Sequence, residues 1–139
     1  MATDDDVAAL LGARGTWAVV GCSPDPRRDS HRVAAFLQRS GFRVVPVNPH
    51  VDGEILGERC HPSIDAIPDD VGIDVVDIFR RSEYAGGHVD EAIRRGAGGV
   101  WLQLGVIDAA AAARARSAGL RVVMDRCPAI ELPRLLRSV

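Results

Sequence analysis

The stretch that decides the fold is WAVVGCSPDPRRDSHRVAAFLQ, residues 17–38. An apolar run rich in Val ends at Gly21, and a turn rich in Pro and Arg then leads into a segment with the apolar spacing of an amphipathic helix. A buried strand, a turn at a glycine and a helix form the repeating unit of parallel α/β sheets, and the helix N-terminus in such a unit favours anions. The stretch therefore predicts a strand, a turn and a helix, and it raises the question of which phosphate-bearing ligand the turn holds.

The same alternation continues along the chain. The apolar runs are mostly continuous rather than alternating, which is typical of strands that are buried on both faces. Ser30 is a predicted cap of the second helix, and Gly41 and Gly119 stand where glycines end helices. The predicted strands are 16–21, 42–48, 74–79, 99–104 and 121–125, and the predicted helices are 4–13, 31–40, 83–95, 108–118 and 129–137.

Strict alternation of strand and helix predicts one α/β domain over residues 1–139, with a doubly wound parallel five-stranded sheet covered by helices on both faces. Segment 49–73 is richer in Pro, Gly and Asp than its neighbours. It is predicted to be a long connection with a short strand near residues 54–56.

The composition narrows the class of protein. A net charge of −2 and a pI near 6.0 provide no overall field that would attract nucleic acid or an anionic membrane. No apolar run approaches the roughly 20 residues of a membrane span, and the N-terminus is acidic where a secretory signal is basic. We therefore expect a cytoplasmic protein that binds neither nucleic acid nor membrane.

Cysteine, histidine and lysine usage narrows the chemistry further. Three widely spaced cysteines favour reduced thiols, and the four histidines lie in different segments without metal-ligand spacing, so no metal site is predicted. The sequence contains no lysine, which excludes a Walker-type phosphate loop and Schiff-base catalysis. Its 17 basic side chains are all arginines, whose planar guanidinium groups bind phosphate through several donors.

The predicted sheet brings together the residues that follow its strands, because ligands of such folds bind at the carboxyl ends of the strands, where the strand order reverses. Polar and conformationally special residues collect at this edge. They are Gly21-Cys22-Ser23, Asn48-Pro49, Phe79-Arg80-Arg81, Gln103-Leu104-Gly105 and Asp125-Arg126-Cys127.

A nicotinamide cofactor is the obvious alternative for this fold, and the first turn argues against it. In the G-x-G-x-x-G fingerprint the later glycines allow close approach of the pyrophosphate and the helix, but Ser23 and Pro26 occupy those positions here. After the second strand, Asn48 and Pro49 stand where an acidic residue would bind the ribose. An NAD(P)-dependent oxidoreductase is therefore disfavoured.

Six ordered motifs resemble those of the stand-alone bacterial CoA-binding proteins, which are small relatives of the CoA-binding domain of the succinyl-CoA synthetase α-subunit. The motifs are VVGCSPDPRRDSHRVAAFL, VVPVNP, EILGERCHPSI, DVVDIFRRSE, GVWLQLGV and VVMDRCPAIE, and the resemblance covers about residues 15–133. It implies a Rossmann-like fold with coenzyme A at the first turn and the strand ends. The chain is too short to hold the synthetase domain that carries a phosphorylated histidine, so ligase chemistry does not follow.

Local chemistry and the resemblance together indicate the binding residues. The turn from Gly21 to the start of the second helix is the expected phosphate site, and the resemblance implies the adenosine side at the second strand end and the pantetheine path at the third. Trp101 is predicted to lie in the core, and Arg81 at the surface. The expected CoA-binding residues are Gly21, Cys22, Ser23, Arg28, Ser30, Val47, Asn48, Pro49, Phe79, Arg80, Gln103 and Gly105.

Two classes of function remain open at this point. A binding module for CoA or an acyl-CoA is favoured, because no Ser-His-Asp order is evident and no catalytic residue is identified. An acyl-CoA-processing enzyme or subunit is the alternative, and Asp125 and Cys127 are the residues that would support it if they met the thiol end of the ligand. The sequence does not identify the acyl group, the protein partners or the oligomeric state.

Overall fold

Seven strands and five helices form in the computed structural model, which describes residues 4–137. Every predicted strand and helix is present, and the observed bounds differ from the predicted ones by at most two residues. The strands are β1 Thr16–Val20, β2 Arg43–Val47, β3 Glu54–Ile55, β4 Glu58–Arg59, β5 Val75–Ile78, β6 Gly99–Leu102 and β7 Arg121–Met124. The helices are α1 Asp4–Gly12, α2 Asp29–Arg39, α3 Ser82–Arg95, α4 Ala109–Ser117 and α5 Pro128–Arg137.

The main sheet has the strand order β2-β1-β5-β6-β7, and all its neighbouring strands are parallel. The chain moves outward from β1 to β2, returns to β5 on the other side of β1, and then continues outward to β7. The strand order therefore reverses between β1 and β5, which is where ligands bind in doubly wound sheets. The predicted Rossmann-like α/β fold is confirmed.

The core consists of two layers, one on each face of the sheet. Along β1, Trp17 and Val19 pack with residues of α1, α2 and α5, whereas Ala18 and Val20 pack with residues of α3 and α4. Because successive residues of a strand point to opposite faces, a continuous apolar run is what a strand covered on both sides requires. This explains why the predicted strands lack hydrophobic alternation.

The connection between β2 and β5 contains a hairpin rather than the single short strand that was predicted. Strands β3 and β4 pair antiparallel, and Leu56 and Gly57 form the turn between them with φ values of 55° and 77°. Two successive residues with positive φ are the signature of a two-residue type I′ hairpin turn. The sequence prediction missed the second strand because Leu is an uncommon residue at the first position of this turn.

One arginine anchors the rest of this connection. Arg95, in the last turn of α3, donates hydrogen bonds of 2.6–3.1 Å to the carbonyl oxygens of Ile64, Ile67, Pro68 and Val71. A guanidinium group offers five donors, so a single side chain satisfies carbonyl groups that have no strand partner. Ile64 and Ile67 are thereby held in the core on the α3 side of the sheet.

Candidate functional site

Three strands meet at Gly21, the residue directly after β1. Its φ is +81°, and its N–H donates a 2.9 Å hydrogen bond to the carbonyl oxygen of Val47 at the end of β2. A Cβ atom at Gly21 would lie well inside contact distance of the Phe79 carbonyl oxygen, at the end of β5. Only glycine fits this position, because it combines a left-handed backbone with close contact to a neighbouring strand end.

The turn after Gly21 is held by its serines. The Ser30 hydroxyl accepts a 2.9 Å hydrogen bond from the Ser23 N–H, and the Ser23 hydroxyl accepts one of 3.1 Å from the Asp25 N–H. His31 adds a 2.9 Å contact from its Nδ1 to the Ser23 carbonyl oxygen. These bonds connect the turn to the first turn of α2 and fix the shape of the loop.

The prediction that Ser30 caps α2 is wrong. The residue in the N-cap position is Arg28, which makes no side-chain cap, and Ser30 is already inside the helix with its hydroxyl bonded back to the loop. The backbone N–H groups of Asp29, Ser30 and His31 consequently have no hydrogen-bond acceptor among residues 4–137. Such free N–H groups and the helix dipole make the start of α2 suitable for an anion.

The charges around the helix start are mostly paired, with one exception. Arg27 forms two hydrogen bonds of 3.1 Å with Asp25, and this interaction lowers the pKa of the Asp25 carboxyl. Arg32 pairs with Asp29. Arg28 is exposed, and its guanidinium forms no ion pair and no hydrogen bond within residues 4–137, although its charge contributes to the lowered pKa of Asp25. It is therefore the loop arginine whose charge is available to a ligand.

Two cavities adjoin this region. The first, which we call the loop cavity, has a volume of about 520 Å³ and is lined mainly by polar residues. The second, the α2–α5 groove, has a volume of about 430 Å³ and is more apolar. The loop cavity is lined by Gly21, Ser23, Arg27, Arg28, Asp29, Ser30 and Phe79, and the groove by Asp29, Arg32, Val33, Phe36, Arg39, Phe79, Gln103, Leu104, Cys127 and Ala129.

Asp29 and Phe79 line both cavities, so the two lie side by side around the start of α2. Each volume falls in the range of about 300–1,000 Å³ that is usual for small-molecule sites. In the part of the chain that the structure describes, the arrangement offers a polar compartment with open N–H groups and an arginine without an ion pair, next to an apolar compartment between two helices. A ligand that is anionic at one end and less polar along the rest of its length matches this pair.

A buried carboxyl lies behind the groove. Asp77, in the middle of β5, is fully buried, and burial raises its pKa well above the ordinary range. The end of the Gln103 side chain faces it, because the amide atom turned toward Asp77 lies 2.8 Å from Oδ1 and 3.3 Å from Oδ2. Gln103 therefore connects a buried acid to the wall of the groove.

Six of the twelve expected binding residues line the two cavities, and six do not. Cys22 and Val47 are buried in the core. The Asn48 amide donates a 2.9 Å hydrogen bond to the Cys22 carbonyl oxygen and accepts one of 2.9 Å from the His50 N–H. Those that line the cavities are Gly21, Ser23, Arg28, Ser30, Phe79 and Gln103, whereas Cys22, Val47, Asn48, Pro49, Arg80 and Gly105 lie outside both.

Two of the residues outside the cavities, Arg80 and Gly105, make contacts within the protein. The guanidinium of Arg80 lies over the Tyr84 ring, 5.0 Å from its centroid, which is cation–π geometry. Gly105, with φ +81°, donates a 2.7 Å bond from its N–H to the Asp125 carboxylate. Both residues thus stabilise loops at the carboxyl edge of the sheet, and their contact with a ligand stays a prediction.

Burial also answers two narrower sequence expectations and determines the state of one thiol. Trp101 is fully buried, as predicted, and its indole N–H donates a 2.8 Å hydrogen bond to the Arg126 carbonyl oxygen. Arg81 stands exposed at the start of α3, as predicted. Burial raises the pKa of the Cys22 thiol to about 12, so this thiol is neutral at physiological pH and a weak nucleophile.

Sequence reasoning missed the helical wall of the groove and the buried acid. Asp29, Arg32, Phe36 and Arg39 lie three or four residues apart, which is the spacing of one helix face, and this spacing was the signal available in the sequence. The signal for Asp77 was a single carboxylate inside the apolar run VVDIF. An acid inside a strand buried on both faces needs a specific reason.

Within residues 4–137, no group of three or more His, Cys, Asp or Glu side chains is arranged to hold a metal ion. In the same part of the chain, no helix combines the length and apolar character needed to cross a bilayer.

Comparison with known proteins identifies the family of this chain. The family model described as a CoA binding domain matches residues 15–133, and the chain therefore belongs to this family. YneT of Bacillus subtilis strain 168, an uncharacterized protein, is 39% identical over 122 residues, which cover 88% of each chain.

Two solved structures extend the comparison. A hypothetical protein from Pyrococcus horikoshii OT3 has 39% identity and a TM-score of 0.88, over 96% of this chain and 92% of that one. A dinucleotide-forming acetyl-coenzyme A synthetase from Candidatus Korarchaeum cryptofilum has 27% identity and a TM-score of 0.67, over 79% of this chain but only 26% of the synthetase. The chain therefore resembles one part of a much longer acetyl-coenzyme A synthetase.

Proposed function

We propose that the protein is a small module that binds coenzyme A or an acyl-CoA through the loop cavity and the α2–α5 groove. The observation that carries the proposal is the start of α2, where Asp29 and Ser30, whose backbone N–H groups have no acceptor within residues 4–137, line the loop cavity together with Arg28, which forms no ion pair there. Charge-assisted hydrogen bonds from such groups are the strong ones in phosphate binding. Membership of the CoA binding domain family supports the same ligand.

The two compartments match the two halves of CoA. The phosphate groups need donors and positive charge, which the loop cavity offers at Ser23, Arg28 and the start of α2. The pantetheine arm is long and mostly apolar, with a few amide groups, and the groove offers Phe36 and Phe79 together with the Gln103 amide. An apolar pocket with few polar groups is typical of such a site.

CoA binding is tested by calorimetry and by thermal unfolding with increasing CoA, NAD or NADP. We expect stabilisation that grows with the CoA concentration as ligand linkage requires, with far smaller shifts for the nicotinamide cofactors. Ser23 and Pro26 replace the glycines that a dinucleotide needs. Stabilisation by NAD equal to that by CoA would contradict the proposal.

An acyl-CoA-processing enzyme is the second candidate. The observation in its favour is that Cys127 lines the groove. The neutral Cys22 thiol argues against nucleophilic catalysis at the first turn. Protein-dependent release of free thiol from acetyl-CoA, abolished by Cys127→Ser, would establish the enzyme in place of the module. The cytoplasmic location expected from the sequence stays a prediction.

A further inference from the structure

Asp77 has the environment of a neutral acid. It lies in the middle of β5, its neighbours across the sheet are Val19 and Trp101, and none of its side chain is exposed. No ion pair to Asp77 is present in residues 4–137. An unpaired ionised carboxylate in such surroundings is strongly disfavoured, and the usual response is to retain the proton.

The titratable group that faces Asp77 does not change this conclusion. It is the Cys22 thiol, next to β1, whose pKa is raised to about 12 chiefly by burial. At neutral pH the thiol is uncharged and adds no positive charge that would favour an ionised Asp77. Burial of the carboxyl is the cause of the raised pKa of Asp77 itself.

The proton on Asp77 needs an acceptor, and Gln103 supplies it. The facing amide atom lies 2.8 Å from Oδ1 of Asp77, a length that fits an O–H···O bond from a neutral acid as well as an N–H···O bond to a carboxylate, so the protonation state of Asp77 decides which amide atom faces it. If that atom is Oε1, the acid donates to it and the Gln103 NH₂ group is turned away from Asp77. If the carboxyl were ionised, the NH₂ group would face Asp77 and Oε1 would be turned away.

We propose that Asp77 is a positioning residue, a neutral carboxylic acid that holds the Gln103 amide with its NH₂ group toward the α2–α5 groove, where it donates to a carbonyl oxygen of the ligand arm. This inference rests on the proposed function, because it names the group that the groove recognises. The carbonyl belongs either to an amide of pantetheine or to the thioester of an acyl-CoA. An ionised Asp77 would instead present an acceptor and select an N–H group.

The protonation state of Asp77 is tested without any ligand. The infrared difference spectrum of wild type minus Asp77→Asn at neutral pH should contain the carbonyl stretch of a protonated carboxylic acid. The matched control is Asp70→Asn, which changes an exposed carboxylate and should lose only carboxylate bands. Carboxylate bands alone in the Asp77 spectrum would overturn the proposal.

A second measurement covers the case in which Asp77→Asn does not fold. In wild-type protein with ¹³C-labelled aspartate, one carboxyl signal should lie at the position of the neutral acid at neutral pH, apart from the signals of the exposed aspartates. If every aspartate carboxyl signal lies at the ionised position at neutral pH, Asp77 is ionised and the proposal fails.

The contact of Gln103 with the ligand is tested with Gln103→Met, which removes the amide at similar length, and with Leu136→Met as a control at an exposed position outside both cavities. Three probes are compared by calorimetry: CoA, acetyl-CoA and adenosine 3′,5′-bisphosphate, which lacks the arm. Gln103→Met should weaken the binding of CoA, acetyl-CoA or both by about 2- to 10-fold, the range for one neutral hydrogen bond, and should leave the affinity for the bisphosphate unchanged. Leu136→Met should leave the binding of all three probes unchanged.

The pattern across the probes identifies the carbonyl. Equal losses for CoA and acetyl-CoA indicate a pantetheine carbonyl, and a loss for acetyl-CoA alone indicates the thioester. If CoA binds and Gln103→Met weakens neither arm-bearing ligand, the inference is wrong and the proposed function stands. If none of the three probes binds wild type, the proposed function fails and the ligand half of the inference fails with it, whereas the spectra still decide the state of Asp77.

Discussion

Arg28 is the loop arginine that the structure leaves without an acidic partner among the residues it describes. Arg27 and Arg32, in contrast, already neutralise Asp25 and Asp29. A paired arginine must give up or share its partner when it binds phosphate, whereas an unpaired one loses only water. Arg28 is therefore the side chain on which phosphate affinity should depend most.

We predict that Arg28→Ala weakens CoA binding by about 1.5–3 kcal/mol, the range for hydrogen bonds to charged groups, and barely changes stability because the side chain is exposed. Arg28→Lys should restore only part of the affinity, since a lysine lacks the planar set of donors. Calorimetry measures the affinity and urea denaturation the stability. Arg116→Ala, at an exposed position of α4 ahead of β7, is the control and should bind as wild type does.

Gly21 makes a residue-scale prediction about stability. Gly21→Ala should lower the free energy of unfolding by about 2 kcal/mol or more, because alanine resists a φ of +81° and its Cβ would collide with the Phe79 carbonyl group. Gly87→Ala is the matched control, since Gly87 lies in α3 with no atom near its absent Cβ, and it should stabilise by about 0.5–1 kcal/mol. Equal effects of the two changes in urea denaturation would refute this account.

At the scale of the element, Asp29 at the start of α2 has opposite effects on the stability of the helix and on the affinity for an anionic ligand. Asp29 is an acidic residue in the first turn, where its negative charge stabilises the helix by interacting with the positive end of the helix dipole. The same carboxylate lies between the two cavities and pairs with Arg32, so it opposes an anionic ligand. Stability and affinity should therefore respond with opposite signs to its removal.

We predict that Asp29→Asn strengthens CoA binding by about 0.5–1 kcal/mol and lowers the free energy of unfolding by about 0.3–1 kcal/mol. The gain in affinity should shrink at high salt, because the interaction is at the surface and is screened. Calorimetry at low and high ionic strength measures it, with Asp70→Asn as a control that changes the same charge outside both cavities. A loss of affinity on Asp29→Asn would show that Asp29 contacts the ligand directly.

At the scale of the whole molecule, the buried Asp77 couples stability to pH. Its folded-state pKa lies above the ordinary value of about 3.9, so the unfolded chain loses the proton first as the pH rises. Stability is thus greatest, as far as this group is concerned, below the unfolded pKa, and it declines until the folded pKa is reached. The decline is at most about 1.4 kcal/mol per pH unit.

Asp77→Asn should remove this pH dependence. The difference in free energy of unfolding between Asp77→Asn and wild type should shift in favour of the variant as the pH rises from about 5 to about 8, because asparagine has no proton to lose. Urea denaturation across this range measures the difference. Asp70→Asn should follow the wild-type pH profile, and a wild-type profile parallel to that of Asp77→Asn would contradict the assignment.

The fold and much of the loop followed from local patterns. Continuous apolar runs predicted β1, β2, β5, β6 and β7, because a strand covered on both faces must be apolar at every position. The placement of Gly21 and the serines after β1 predicted a turn suited to an anion before any contact was known. These features depend on a few consecutive residues, so the sequence by itself determined them.

Tertiary structure decided the remaining features, because they depend on residues that are distant in the chain. Ser30 has the composition of a helix cap, but its hydroxyl bonds to Ser23, since the loop folds back over α2. Gln103 was expected to face the ligand, but only the alignment of β5 with β6 brings it to Asp77 as well. Which arginine is free, which carboxyl is buried and which helices form the groove are properties of packing between elements, and local patterns such as the spacing along α2 and the acid inside VVDIF indicate them only in part.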